Sequence, residues 1–247
     1  MKSNFKKKLH AKEKLIGTLV SLPSPEIAEM YSSLGFDWLF VDLEHGAIEI
    51  KDAQRILQAS SLPCLLRCPV NEEIWIKKCL DIGADGIIVP LVNSKSEAEK
   101  VIADCKYPPL GNRSLGIARA HGYGANFADY IAQANANIST VIQIEHIDGV
   151  NNIHEILEVR DIDCVFVGPY DLSASMNLIG QLNHPYVTSA IDKVTKACKK
   201  ANMPLGIFTS TAEGAQKHAD LGYSLLTVGT DTMLLSQAAQ NLLQVLK

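Results

Sequence analysis

Eight times along the chain, a short run of β-branched and other apolar residues gives way to an amphipathic stretch, and Gly, Pro, Asn or Asp bounds each run. The runs span residues 16–20, 38–42, 64–67, 86–91, 140–145, 164–168, 204–208 and 225–229. Strands so short and so uniformly apolar suit a parallel sheet covered on both faces, because neither face meets water. Parallel neighbours need a crossover, which packs back on the sheet with a right-handed sense. Eight units of this kind predict a closed (β/α)8 TIM barrel rather than an open doubly wound sheet.

Between the runs the period becomes helical. Ile27, Tyr31 and Leu34 share one face after Ser24-Pro25, a cap followed by a first-turn proline. Val187, Ile191, Val194 and Cys198 repeat the pattern. The stretch from Asp231, with Leu234, Leu242, Val245 and Leu246, predicts a terminal helix that packs on, or is exchanged with, a neighbouring subunit. With 247 residues, 47% of them apolar, the chain is long enough for one large core, so one domain over 1–247 is expected.

The formal charge is −4, and the basic residues are scattered except around Lys6, Lys7 and Lys8. That pattern predicts no nucleic-acid partner. No apolar run approaches a bilayer span and the polar start has no signal-peptide core, so no membrane association and a cytoplasmic location are expected. The six cysteines form no C-x-x-C pair and several fall in apolar segments, which suits reduced, structural thiols.

In a barrel the chemistry gathers at the carboxyl ends of the strands. The polar residues there are Asp42-Leu43-Glu44-His45 after the second run, Arg67 after the third, Gln143-Ile144-Glu145 at the fifth and Gly168-Pro169-Tyr170-Asp171 at the sixth. Glu145 and Asp171 sit at the ends of adjacent predicted strands, and two carboxylates at one point call for a hard divalent cation. Helix capping is the competing duty for Asp171. His45 has the side chain best suited to proton transfer near neutrality, with His121 and His146 as alternatives. Arg67 is costly to bury without an anion, which either a substrate oxygen or Asp42 and Glu44 can supply. The irregular stretch from Tyr107 to Phe127, rich in Gly and Pro and holding Arg113, Arg119 and His121, is a candidate functional loop. Val228-Gly229-Thr230-Asp231 offers backbone amides to a phosphate or is a plain strand-to-helix turn.

Taken together, Asp42-Leu-Glu-His45-Gly, Arg67-Cys-Pro, Leu80-Asp81-Ile-Gly-Ala, Tyr107-Pro-Pro-Leu-Gly-Asn-Arg113, Gln143-Ile-Glu145 and Gly168-Pro-Tyr-Asp171-Leu-Ser resemble the HpcH/HpaI aldolases over almost the whole chain. The resemblance implies a class II aldolase that reversibly cleaves a 4-hydroxy-2-oxo acid, such as 2-dehydro-3-deoxyglucarate or 4-hydroxy-2-oxoheptanedioate, to pyruvate and an aldehyde. It implies that Glu145 and Asp171 ligate Mg2+, Mn2+ or Co2+, and that Gln143 and the backbone at Gly168 and Tyr170 hold the 2-oxo acid. It further implies that Arg67 stabilises the transition state, that His45 is the acid/base, and that Asp81 raises the basicity of His45. By the same resemblance the chain is expected to be a homo-oligomer, a trimer or hexamer. Topology alone puts Asp81 at a helix end away from the rim, so its influence on His45 is expected across a subunit boundary. Ser114 and Asn177 depart from the glycines frequent in the family, and both are expected beside the site.

Two rivals remain at this stage: Claisen-type chemistry on a CoA thioester or oxaloacetate, and a non-catalytic 2-oxo acid binding protein. No basic groove for a nucleotide is visible, and His45 and Arg67 argue for catalysis. A Schiff-base aldolase needs a lysine at the rim, yet no predicted strand ends in one. Borohydride added with pyruvate should therefore neither inactivate the protein nor add mass to it, whereas EDTA should stop turnover. A reduced pyruvyl adduct on any lysine in the mass spectrum would overturn the class II expectation.

Overall fold

The computed structural model describes residues 4–246. Eight strands, β1 (Leu15–Val20), β2 (Trp38–Asp42), β3 (Cys64–Arg67), β4 (Gly86–Val89), β5 (Ser139–Ile144), β6 (Cys164–Val167), β7 (Leu205–Thr209) and β8 (Leu225–Thr230), each pair in parallel with the next. β8 pairs back to β1, so the barrel closes as expected. The helices are α1 (Phe5–His10), α2 (Pro25–Tyr31), α3 (Ile50–Ala59), α4 (Glu73–Asp81), α5 (Lys95–Cys105), α6 (Phe127–Asn137), α7 (Ile147–Asn151), α8 (Ile153–Ile156), α9 (Pro169–Ser175), α10 (Pro185–Lys200), α11 (Ala212–Asp220) and α12 (Asp231–Leu246). A 3-10 segment, Arg119–Gly124, precedes α6. Strand edges differ from the sequence reading by one or two residues, most at β4, which stops before Pro90 because proline has no N–H for the ladder.

Two apolar layers hold the fold. The outer one joins the strands' outward side chains to the helices. The inner one fills the barrel with Trp38, Phe40, Leu65, Ile88, Val141, Phe166 and Leu225. Aromatic rings climb the axis: Phe5 to Trp38 at 6.2 Å between centroids, Trp38 to Phe40 at 6.1 Å, and Phe40 to Phe166 at 5.7 Å. Gly17 makes room for this column, since a Cβ there would lie 2.6 Å from the Trp38 indole.

Helix α1, which periodicity does not announce, closes the amino-terminal end of the barrel. Phe5 and Leu9 join the inner layer from below, and the buried Asp163 clamps the helix. Lys6 Nζ lies 2.9 Å from Asp163 Oδ2, and His10 Nε2 lies 2.7 Å from Oδ1. The Thr140 amide also donates to Asp163, at 2.7 Å.

The long stretch after Tyr107 lies between α5 and β5, and this corrects its expected place. It packs under the ends of α3 and α4, with Arg119 Nη1 donating to Ile82 O at 2.8 Å. A connection from helix to strand runs at the barrel's amino-terminal face, opposite the rim. Ser114 therefore does not lie beside the rim of its own chain. Asn177 does follow the sixth strand, and its φ of 57° explains why glycine suits the position, since asparagine tolerates left-handed backbone better than other side chains. Along α12 only Asp231 is buried, and Leu235, Leu242, Val245 and Leu246 are exposed. No helix among the described residues is long and apolar enough to cross a membrane.

Asp163→Asn keeps the shape but leaves Lys6 without its carboxylate, and should cost about 3 kcal/mol in denaturant melts. Burial opposes ionisation of Asp163, but His10 and Lys6 outweigh it and hold its pKa below the ordinary value. The clamp's stabilisation is thus present above the unfolded-state pKa and lost as pH falls through the lowered one. An Asp163→Asn melt matching the parent at neutral pH would refute the clamp.

Candidate active site

Inward-facing positions at the strand ends carry the polar residues. Asp42 and Arg67 are register partners on β2 and β3, so their side chains meet directly. Arg67 Nε and Nη2 donate to the two Asp42 oxygens at 2.8 and 2.7 Å, and Nη1 lies 3.0 Å from Glu44 Oε2. The guanidinium also stands over the Phe40 ring, 5.3 Å from its centroid. Burial disfavours its charge, yet Asp42, Glu44 and Glu145 outweigh that and raise its pKa. The internal ion pair weighed against substrate binding is thus formed. Two of the five guanidinium N–H groups donate to Asp42, and the contact with Glu44 is an ion pair without a hydrogen bond, which leaves three N–H groups for a ligand.

Glu145 follows β5 immediately and is buried. Its Oε1 accepts from the Leu91 amide at 2.9 Å, and its Oε2 accepts a short hydrogen bond from Gln143 Nε2. Leu91 adopts φ 54°, an uncommon conformation for a branched residue and one that tends to collect at functional sites. Burial, with the charges of Glu44 and Asp171, pushes the Glu145 carboxyl up to about 7, against the hydrogen bonds from Gln143 and Leu91. Gly168 must lack a side chain, since a Cβ would lie 2.9 Å from Glu145 Oε2.

Asp171 occupies the first turn of α9 and is exposed, and the cap of that helix is Gly168, so the capping duty weighed for Asp171 falls away. Burial raises the Glu44 pKa, with Asp42 and Asp171 adding to the rise and Arg67 and His45 opposing it. His45 stands at the rim with its side chain 65% exposed, and Nε2 is 3.7 Å from Glu44 Oε2. The Tyr170 carbonyl accepts from Ser173 Oγ at 2.6 Å, while its ring is half-exposed.

Other candidates fall outside this cluster. Asp81 ends α4 and pairs with the buried Arg113 at 2.6 Å, which in turn stacks on Tyr107. His121 is buried in the same group, 3.1 Å from the Tyr107 hydroxyl, and is not available as a rim base. His146 caps α7. After β8 the turn is tied as a strand-to-helix connection: Met233 N donates to Thr230 Oγ1, Thr232 N donates to Asp231, and Asp231 also accepts from Ser21 N, Ser21 Oγ and Leu22 N. Asp42 and Glu44 were legible only as partners for Arg67. Their alternation, which puts Asp42 inward beside Arg67, was the signal that marks them as part of the site.

Among the described residues no three His, Cys, Asp or Glu side chains come close enough to hold an ion alone. The donor set nevertheless fits a hard cation that keeps open positions. Glu145 is a buried carboxylate with a raised pKa among other carboxylates, and Gln143 Oε1 beside it is buried without a hydrogen-bond partner.

Residues 15–238 match the family model described as HpcH/HpaI aldolase/citrate lyase. A 5-keto-4-deoxy-D-glucarate aldolase of Shigella boydii is 34% identical over 248 residues, covering 99% of this chain and 96% of that protein. The crystal structure of an HpcH/HpaI aldolase/citrate lyase family protein from Burkholderia cenocepacia superposes with a TM-score of 0.94 at 32% identity, covering 98% of each chain. The citrate synthase SbnG superposes at 0.88 and 25% identity, covering 98% of this chain and 96% of its own.

Arg67→Lys keeps the charge but loses the fork that bridges Asp42 and Glu44, and should cost about 2 kcal/mol of stability. Chemical denaturation measures this, and a loss below 0.5 kcal/mol would mean that the fork does not organise the rim.

Proposed function

The chain belongs to the HpcH/HpaI aldolase/citrate lyase family and is a carbon–carbon lyase of it, and we propose that it reversibly cleaves a 4-hydroxy-2-oxo acid to pyruvate and an aldehyde by class II chemistry. The observation that carries the reading is the buried Glu145, raised to about 7 beside Glu44 and Asp171 and flanked by the unpaired Gln143 oxygen. In this reading Glu145 and Asp171 would hold Mg2+, Mn2+ or Co2+. Such an ion, when bound, supplies Lewis acidity toward the carboxylate and 2-oxo oxygens of the substrate.

Gln143 and the backbone at Gly168 and Tyr170 orient the pyruvate half. His45 takes the proton of the 4-hydroxyl as the C3–C4 bond breaks; that bonding pair becomes the C2=C3 double bond of the enolate, and the carbonyl pair passes to the 2-oxo oxygen. The N–H groups of Arg67 that Asp42 leaves free face the negative charge that gathers on oxygen. A proton returned to C3 completes pyruvate. Asp81, paired to Arg113 in its own chain, would act on His45 only across a subunit boundary, in a trimer or hexamer. A Claisen reaction on a CoA thioester has less support, since nucleotide phosphates need cations and Arg67 is the only lysine or arginine between any strand's end and the helix that follows it.

Glu145→Ala and Asp171→Ala should each abolish Mn2+ binding in calorimetry together with pyruvate release. His45→Ala should lose at least about a hundredfold in cleavage while still binding Mn2+. Full activity of either carboxylate variant after chelator treatment would remove the ion from the reading.

A further inference from the structure

The two carboxylates assigned to the ion come from different elements. Glu145 follows β5, and Asp171 sits in the first turn of α9, after β6. Glu145 is oriented from β4 and β5, by the Leu91 amide on Oε1 and the Gln143 side chain on Oε2, and neither bond reaches α9. Asp171 is exposed, so its place is set by the backbone that carries it. The separation of the two carboxylates therefore depends on what ties the segment after β5 to α9.

Four hydrogen bonds close that tie into a ring. Gly168 N donates to Ile144 O at 3.1 Å, one rung beyond the β5–β6 register, and Leu172 N donates to Gly168 O at 3.0 Å. On the far side Ser175 Oγ donates to Leu172 O at 2.8 Å and accepts from Ile147 N at 3.1 Å, across 28 residues of chain. Glu145 lies between Ile144 and Ile147, and Asp171 between Gly168 and Leu172, so the ring runs past both carboxylates. Backbone makes every other link, and a hydroxyl makes this one. Leu172 is fully buried, which gives the Ser175 link a fixed anchor. The nearby Ser173 does a different job: its hydroxyl donates to Tyr170 O and accepts from Gly180 N, both on its own side of the ring.

We propose that Ser175 is a positioning residue for the metal: its hydroxyl fixes the separation of Glu145 and Asp171 before an ion arrives. The inference rests on the metal-dependent reading above and adds to it a residue that is neither ligand nor acid/base. Like charges at one end of the barrel tend to spread apart, and the ring resists the spreading. A ligand pair already held at its working separation need not be ordered by the ion. Loss of the hydroxyl should therefore appear in metal affinity and not in the bond-breaking step.

The test is calorimetric titration of Mn2+ into the full chain. Ser175→Ala removes both hydrogen bonds with little change of shape, and its Kd for Mn2+ should rise by about tenfold or more. With 4-hydroxy-2-oxoheptanedioate as substrate, the Mn2+ concentration for half-maximal pyruvate release should rise in step, while kcat at saturating Mn2+ stays within about threefold of the parent. Ser175→Thr keeps the hydroxyl and should bring the Kd back to within about threefold. The metal-free melt of Ser175→Ala should stay cooperative, and its loss would make the hydroxyl a folding tie and not a positioning one. An alanine variant whose Mn2+ Kd matches the parent, or a threonine variant no tighter than alanine, overturns the role of Ser175 and leaves the aldolase reading standing. A parent protein that binds no Mn2+ overturns both.

Discussion

Arg67 is a guanidinium sunk among carboxylates, and much of the rim is arranged around keeping it there. Its fork spans Asp42 and Glu44, its face rests on Phe40, and its charge offsets part of the repulsion that Glu145 feels from its neighbours. A buried cation of this kind is tolerated only when its partners are fixed. The partners are fixed because Asp42 and Arg67 share a register on adjacent strands and because the Phe40–Phe166 contact sets the height of the platform below. Packing in the barrel interior and electrostatics at its mouth are therefore one problem, solved by the same column of side chains.

One guanidinium does not neutralise Asp42, Glu44, Glu145 and Asp171. The excess negative charge lies where β5 and β6 end, while the excess of apolar surface lies across the mouth at Phe208 and Tyr170.

The barrel was legible because its signal is repetitive: eight apolar runs of similar length, each followed by a helical period, leave few topologies. The rim residues were legible for a related reason, since a polar side chain at the end of an apolar strand has one place to go. Two features escaped. Helix α1 is a single short turn-and-a-half whose anchors, Asp163 and Ile138, lie far off in sequence. The stretch after Tyr107 carries loop composition, but only the order of elements says which end of the barrel it covers, and that order was obscured by the unannounced α6. Asp42 and Glu44 were legible as ion-pair partners for Arg67, because they end the neighbouring strand, and both pairs are formed.

The plug helix has a bearing on how the protein comes into being. It precedes every strand of the barrel in the chain, yet its hydrogen-bond partners lie 132 and 153 residues further along. It can seat only after β5 exists and β6 has begun, and contacts of such long separation form late and slowly. Until then the side of Trp38 that Phe5 covers has no partner from this helix. The nascent chain thus has most of its strands before it has a dry interior, and the platform beneath Arg67 is among the last parts of the molecule to set.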